Sequence, residues 1–147
     1  MSTNDATIID ASNIILGRLA SIVAKRLLNG EKITIVNAEK AVISGNEKNI
    51  IEAAMTRLEI RTLGSKTKSP KHPRRPDGLV RKTIRGMLPW DKSKGKTAYR
   101  MLKVYIGIPK NLIDVVPQTI PKANLTNVRA SVVSVGDVGK SIGWNPS

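Results

Sequence analysis

The chain lacks cysteine and phenylalanine altogether and has one histidine. Without cysteine it can form neither a disulfide nor a thiolate metal site, and His72 alone cannot hold a zinc ion. No apolar run approaches the roughly 20 residues of a membrane span, and no apolar leader precedes a cleavage site. We therefore expect a cytoplasmic protein with no metal, no other cofactor and no membrane partner.

Aromatic residues are scarce: Trp90, Tyr99, Tyr105 and Trp144 are the only ones in 147 residues. Apolar residues nevertheless make up 40% of the chain, which is typical of a folded protein of one domain's length. The core must therefore be packed almost entirely by Ile, Val, Leu and Ala side chains.

Positive charge is concentrated in one third of the sequence. Residues 61–110 contain fifteen Lys and Arg against two Asp, an excess of 13 in a chain whose net charge is +14. Residues 1–60 contain seven of each sign, and residues 111–147 three basic and two acidic. Such an excess repels itself and attracts polyanions, so nucleic acid is the favoured partner. An acidic membrane surface and a merely solvated face are the alternatives.

The first half of the chain has the pattern of a parallel crossover unit. A strand is predicted at 7–11, a helix from Leu16 that stops at Asn29-Gly30, and a second strand at 32–37. A third apolar run lies at 40–44. The complete order, strand–helix–strand–strand–helix–helix–strand, predicts an α/β fold with a small, mostly parallel sheet.

A capping-box pattern, Ser-Gly-Asn-Glu at 44–47, predicts the start of a helix that reaches about residue 62. The Ser hydroxyl and the Glu carboxylate would satisfy free amides of the first turn. Apolar residues at helical spacing predict one buried stripe on this helix, formed by Ile51, Met55 and Leu58.

The basic segment 61–110 contains two loops with a helix between them. Residues 64–78 are rich in Pro, Ser and Lys and predict an extended, solvated loop that orders on a partner. A helix at 78–88, capped by Asp77, follows, and its apolar stripe of Val80, Ile84, Met87 and Leu88 should face the core. A second basic loop runs from Trp90 to Lys96, then a short helix and a strand of period two at 102–108.

The candidate RNA-binding residues lie on these two loops, the helix between them and the short helix that follows. Arg81 and Arg85 are one turn apart on the face opposite the apolar stripe, and guanidinium groups bind phosphate bidentately. Trp90 has two interpretations of equal weight, stacking on a base or sugar, or packing under the loop. The complete set is Lys66, Lys68, Lys71, His72, Arg74, Arg75, Arg81, Lys82, Arg85, Trp90, Lys92, Lys94, Lys96 and Arg100.

No motif in the chain predicts catalysis. Two Gly-Lys-Ser/Thr triplets begin at Gly95 and Gly139, but the phosphate-binding loop also requires a Gly five residues earlier, where this chain has Trp90 and Ser134. Asp10 has no partner at a spacing that predicts an acid–base pair, so a strand-end role is the default. We expect no enzymatic activity, no catalytic residue and no small-molecule substrate.

Five segments in order resemble the ribosomal protein L-thirteen (L13) family, in the form found in archaea and eukaryotes. The resemblance extends from residue 8 to about residue 110. The segments are Ile-Asp-Ala at 9–11, Leu-Gly-Arg-Leu-Ala-Ser at 16–21, Val-Asn-Ala-Glu-Lys at 36–40, Arg-Gly-Met-Leu-Pro at 85–89 and Gly-Lys-x-Ala-Tyr-Arg-x-Leu-Lys-Val-Tyr-x-Gly-x-Pro at 95–109.

The resemblance implies a three-layer α/β/α domain with a four-stranded sheet, bound to large-subunit ribosomal RNA early in assembly. It also implies contacts with neighbouring ribosomal proteins and no enzymatic activity. We expect one α/β RNA-binding domain at 1–110 and a C-terminal extension or arm at 111–147. A DNA-binding architectural protein and an RNA-acting enzyme are the alternatives, although no helix-turn-helix, zinc finger or acid–base pair is visible.

Overall fold

A computed structural model describes residues 6–146, the side chain of Asn127 excepted. In chain order the elements are β1 (Thr7–Asp10), α1 (Leu16–Leu28), β2 (Ile33–Val36), β3 (Val42–Ser44), α2 (Glu47–Glu59), α3 (Pro76–Gly86), α4 (Ser93–Arg100), β4 (Leu102–Val104), β5 (Val132–Ser134) and α5 (Val135–Ser141).

The main sheet has three parallel strands in the order β1-β2-β4. Ile9 pairs with Ile35, and Ile35 pairs with Val104 on the other side. All four residues of the central strand β2 are buried, as expected of a parallel strand covered on both faces. The predicted α/β class with a small, mostly parallel sheet is confirmed.

The expected four-stranded sheet is not found among the described residues, which form three parallel strands and a separate antiparallel pair. Strand β3 pairs with β5, with Val42 opposite Ser134 and Ser44 opposite Val132. The last strand is also shorter than predicted, because β4 ends at Val104 and Gly107 then turns the chain with a φ of +67°.

The core is aliphatic, as the composition predicts. Its buried apolar side chains are all Ile, Leu, Val or Ala. Helix α1 contributes a continuous stripe that includes Leu19, Val23 and Leu27, each fully buried. Helix α3 packs against the same core through Val80 and Ile84, which are also fully buried. This packing fixes α3, and with it the centre of the basic segment, to the sheet.

Helix α2 differs from its prediction in two ways. Its N-cap is Asn46, whose side chain accepts a hydrogen bond from the Lys48 amide at 3.0 Å, so the predicted Ser44 cap is wrong. The predicted stripe is not buried either, since no residue of α2 is fully covered and Met55 is 44% exposed. Ser44 is not free to cap α2, because it is the last residue of β3 and pairs with Val132 of β5. Asn46 is therefore the residue at the start of the helix.

Residues 111–146 pack back onto the preceding chain. The Gln118 amide donates to the Ile8 carbonyl at 2.8 Å, which extends the edge of the main sheet. Further on, Ala123 and Val135 are completely buried, and the Val135 amide donates to the Ala41 carbonyl at 2.8 Å. The segment for which the sequence predicts an extension therefore contributes side chains to the core.

Candidate nucleic-acid interface

Helix α3 presents a row of cations to solvent. Its inner face holds the buried Val80 and Ile84, and Arg81, Lys82 and Arg85 are exposed on the outer face. The outward face predicted for this helix is confirmed, and so is the inward position of Val80, Ile84 and Leu88; Met87, which the pattern also places inward, is 44% exposed. Helical periodicity alone accounts for the division, because residues i and i+4 share a face.

The start of α3 lies two residues earlier than predicted. Pro76 occupies the first turn, where its missing amide hydrogen costs nothing. Asp77 is therefore inside the first turn rather than at the N-cap, and its carboxylate accepts a hydrogen bond from the Gly78 amide at 2.8 Å. It also lies 3.4 Å from Arg75, and the negative charge suits the positive end of the helix dipole.

The predicted second basic loop is mostly helix. Helix α4 begins at Ser93, so Lys94 and Lys96 lie on its first turns, whereas Lys92 precedes it; all three side chains are exposed. The cause is Gly95, which packs directly on the backbone of Pro89. A Cβ at this position would lie 2.1 Å from the Pro89 carbonyl oxygen, so only glycine allows the close approach.

This close packing brings two aromatic rings and two arginines together. Tyr99 lies one turn after Gly95 on α4, and its ring centroid is 5.3 Å from that of Trp90, at an interplanar angle of 86°. The Arg85 guanidinium lies 4.1 Å from the centroid of Trp90, and the Arg81 guanidinium lies 5.2 Å from that of Tyr99. We call Arg81, Arg85, Trp90 and Tyr99 the stacked cluster.

Residues 64–75 of the first basic loop have no regular secondary structure, as predicted, but they are not fully extended. The Ser69 hydroxyl accepts a hydrogen bond from the Thr62 amide at 3.0 Å and donates to the Ser65 carbonyl at 3.1 Å. These bonds close a small ring from which Lys66 and Lys68 project into solvent. Lys71, after the ring, is exposed as well.

His72 pairs with a neighbouring cation on α3. The Lys82 ammonium donates to His72 Nδ1 at 2.6 Å, and Nε2 is buried without a hydrogen-bond partner among the described residues. The imidazole therefore fastens the end of the first loop to the outer face of α3.

The remaining candidates lie apart from the stacked cluster. Arg74 lies against the C-terminal part of the chain, because a Cβ built on Gly143 would be 2.8 Å from its guanidinium. Arg75 is the ion-pair partner of Asp77. Arg100, at the end of α4, lines a different cleft together with Lys103.

Ion pairs among the described residues neutralise little of the positive charge of the basic segment. Among residues 6–146, ion pairs within 4 Å join Arg26 to Glu31 and Arg75 to Asp77. Arg75 is thus the one member of the basic segment with a carboxylate partner in that part of the chain. The excess predicted from the sequence is therefore exposed charge on the surface of the fold.

Acidic side chains near the sheet have structural partners. Asp10 accepts hydrogen bonds from the Ser12 hydroxyl at 2.7 Å, the Ser12 amide at 2.9 Å and the Asn37 amide group at 3.1 Å. The Glu39 carboxylate accepts from the Gly107 amide at 2.9 Å. Within the described chain, no three His, Asp or Glu side chains lie close enough together to hold a metal ion.

The pKa of Asp10 gives a prediction for the pH dependence of stability. Burial alone would raise this pKa, but the hydrogen bonds from Ser12 and Asn37, together with the charge of Lys40, hold it below its ordinary value. The ionised Asp10 therefore stabilises the folded state above about pH 4, and that contribution is lost as pH falls through the lowered pKa.

We expect Asp10→Asn to reduce the free energy of unfolding by a constant amount between pH 5 and 7. The difference from wild type should then shrink below about pH 4. Urea titrations at a series of pH values measure it. A difference that stayed constant down to pH 3 would contradict this role for the ionised carboxylate.

Comparison with known proteins identifies the family. A family model described as Ribosomal protein L13 matches residues 4–111. The chain belongs to the ribosomal protein L13 family. No helix in the stretch 6–146 is both long and apolar enough to cross a membrane.

Similar proteins in archaea extend the match beyond the family model. The chain is 44% identical over 143 residues to the large ribosomal subunit protein uL13 of Archaeoglobus fulgidus, covering 96% of this chain and 90% of that protein. It is 45% identical over 138 residues to the protein of the same name from Methanosphaera stadtmanae, covering 93% and 96%. Both the predicted family and its archaeal type are confirmed.

Tyr99 is the residue of the stacked cluster that sequence reasoning missed. The sequence predicts a loop up to Lys96 and a short helix after it. Because α4 begins at Ser93, Gly95 and Tyr99 lie on one face of it, four residues apart. The remaining signal, contact with Trp90, depends on the backbone approach at Pro89 and is not visible in the sequence.

Proposed function

We propose that this L13-family chain is a structural constituent of the large subunit of a cytoplasmic, archaeal-type ribosome and acts without catalysis. It binds folded large-subunit ribosomal RNA through the basic segment 61–110, early in assembly, and it adjoins neighbouring ribosomal proteins. Family membership supports the ribosomal role. The single observation that carries the RNA contact is the unpaired positive charge on α3 and the segments beside it.

The chemistry of this surface favours contacts to phosphates. Its donors are guanidinium and ammonium groups on α3, on the first turns of α4 and on the adjoining loops. They are spread over a surface rather than gathered in a groove-reading helix. Double-stranded RNA is recognised mainly by shape and backbone, because side chains cannot enter its deep, narrow major groove. The proposed interface therefore includes Lys66, Lys68, Lys71, Arg81, Lys82, Arg85, Lys92, Lys94 and Lys96.

Other candidates have a supporting position. His72 ties the first loop to Lys82, and Arg74 lies against the C-terminal part of the chain. Arg75 is partly engaged by Asp77, although its side chain remains 66% exposed. Arg100 would contact a separate stretch of RNA, near Lys103. We propose residues 1–110 as the RNA-binding unit, with residues 111–146 completing its core.

Ultraviolet crosslinking in cells, followed by sequencing of the attached RNA fragments, tests this function. We expect the fragments to come from large-subunit ribosomal RNA and the protein to sediment with large ribosomal particles. A competition assay adds a second arm, in which folded ribosomal RNA should displace the protein from duplex DNA at equal phosphate concentration. Equal affinity for the two nucleic acids would favour a DNA-binding architectural protein instead.

A further inference from the structure

The stacked cluster places each arginine of α3 on an aromatic ring rather than beside a carboxylate. Trp90 is 36% exposed, so core packing does not explain its position. Tyr99 is partly buried and packs against the core, and its ring also lies beside Arg81. The positions of the two rings, 4.1 Å and 5.2 Å from the guanidinium groups, are within the range of cation–π attraction.

This arrangement leaves the hydrogen-bonding edges of both guanidinium groups open. A cation over a ring is attracted through the ring face, so the N–H donors remain available, whereas a carboxylate partner would occupy two of them. No hydrogen bond or ion pair to another described residue engages the side chain of Arg81 or Arg85. The rings thus restrain the arginines without using the groups that bind phosphate.

Spacing adds a second reason for the rings. Like charges four residues apart on a helix repel. Asp77 lies four positions before Arg81, but its carboxylate accepts from the Gly78 amide and pairs with Arg75, and Arg85 has no acidic residue of α3 four positions away. The negative faces of the two rings partly offset this repulsion. They also reduce the number of rotamers available to each side chain, which lowers the entropic cost of holding a ligand.

We propose that Trp90 and Tyr99 are positioning residues that hold Arg85 and Arg81 as a paired site for backbone phosphates of structured RNA. This inference rests on the proposed function. This role differs from both interpretations of Trp90 left open by the sequence, stacking on RNA and packing under the loop. On the ring face that Arg85 occupies, a base would have to displace the guanidinium, so on that face Trp90 acts through Arg85.

A double-mutant cycle between Arg85 and Trp90 tests the inference. The dissociation constant for full-length large-subunit ribosomal RNA is measured for wild type, Trp90→Leu, Arg85→Ala and the double variant. We expect Trp90→Leu to weaken binding about threefold to tenfold when Arg85 is present, and less than about 1.5-fold when it is absent. If the Trp90 ring touched RNA directly, Trp90→Leu would weaken binding equally with and without Arg85. This result would overturn the proposal.

Conservative variants separate positioning from folding. Trp90→Phe keeps a ring face, so its affinity should stay within about twofold of wild type, and Arg85→Lys should bind more weakly although it keeps the charge. Thermal unfolding by circular dichroism shows whether each variant is folded. If Trp90→Leu is unfolded at the assay temperature, the matching cycle between Arg81 and Tyr99 (Tyr99→Leu) replaces it, with the same expected pattern and the same overturning result.

Failure of this inference differs from failure of the proposed function. If Arg81→Ala/Arg85→Ala binds ribosomal RNA as well as wild type does, α3 is not part of the interface and both ideas fail there. If that variant binds weakly but Trp90→Leu binds normally, the RNA contact stands and the positioning role of the rings is wrong.

Discussion

Replacing Arg81 and Arg85 together by alanine is expected to weaken binding to large-subunit ribosomal RNA by about a hundredfold at low salt. A hydrogen bond to a charged group contributes about 1.5–3 kcal/mol, so each lost guanidinium costs about tenfold or more. The dependence on salt should change too. The slope of log K against log salt should become shallower by about 1.4–1.8, since each phosphate contact contributes about 0.7–0.9.

The matched control removes the same charge from a neutral part of the chain. Lys25 and Lys48 are exposed residues outside the basic segment, so Lys25→Ala/Lys48→Ala lowers the net charge equally without altering α3. Filter binding at several salt concentrations compares the two variants. An unchanged slope for the arginine variant would mean that Arg81 and Arg85 make no phosphate contacts. An equal change for the lysine control would mean that net charge rather than α3 determines affinity.

Gly95→Ala is expected to lower the free energy of unfolding by about 2 kcal/mol, in the range of other overpacked sites. Alanine is the better helix former by about 1 kcal/mol, but this gain is outweighed by a methyl group 2.1 Å from the Pro89 carbonyl oxygen. Either α4 or the turn at Pro89 must move. The melting temperature should fall by about 5–10 °C.

Gly17→Ala is the corresponding control. Gly17 is an exposed helical residue of α1, and a Cβ there would meet nothing within 4 Å, so this change should leave stability equal or slightly higher. Guanidinium titrations of both variants give the comparison. Equal or greater stability for Gly95→Ala would show that α4 does not need the close approach. Since Tyr99 follows on the same helix, Gly95→Ala should also weaken RNA binding.

The first βαβ unit could be predicted from the sequence because its signals are local. Strand β1, helix α1 and strand β2 match their predicted ranges within one or two residues, and Gly30 ends α1 with a φ of +93°. Hydrophobic period and a left-handed cap are properties of neighbouring residues. They need no knowledge of what lies across the sheet.

Strand pairing was where the sequence prediction failed. The run at 40–44 has the composition of a strand, but nothing in it shows that its partner lies about 90 residues later, in β5. A strand pairs by hydrogen bonds that every residue can make, so the pattern identifies a strand and not its neighbour. The Ser44 cap was misplaced for the same reason, as pairing with β5 keeps Ser44 in the strand.

The candidate interface was predictable in outline and not in geometry. Counting charges located the basic segment, and helical period separated Arg81 and Arg85 from Val80 and Ile84. The stacking of the arginines on Trp90 and Tyr99 depends on Gly95 meeting Pro89, a contact between backbones. A glycine in a basic stretch predicts a loop. Only the packed structure shows that Gly95 instead lets helix α4 approach the backbone of Pro89.

The pairing of β3 with β5 has a consequence for how the protein is made. Translation delivers the chain from its N-terminus, so β3 emerges long before the strand that pairs with it. Until Val135 and Ile142 have left the exit tunnel, apolar surface that they cover in the finished fold stays open to solvent. Nascent chains stalled before residue 132 should therefore be more sensitive to protease, and bind more chaperone, than chains released at full length.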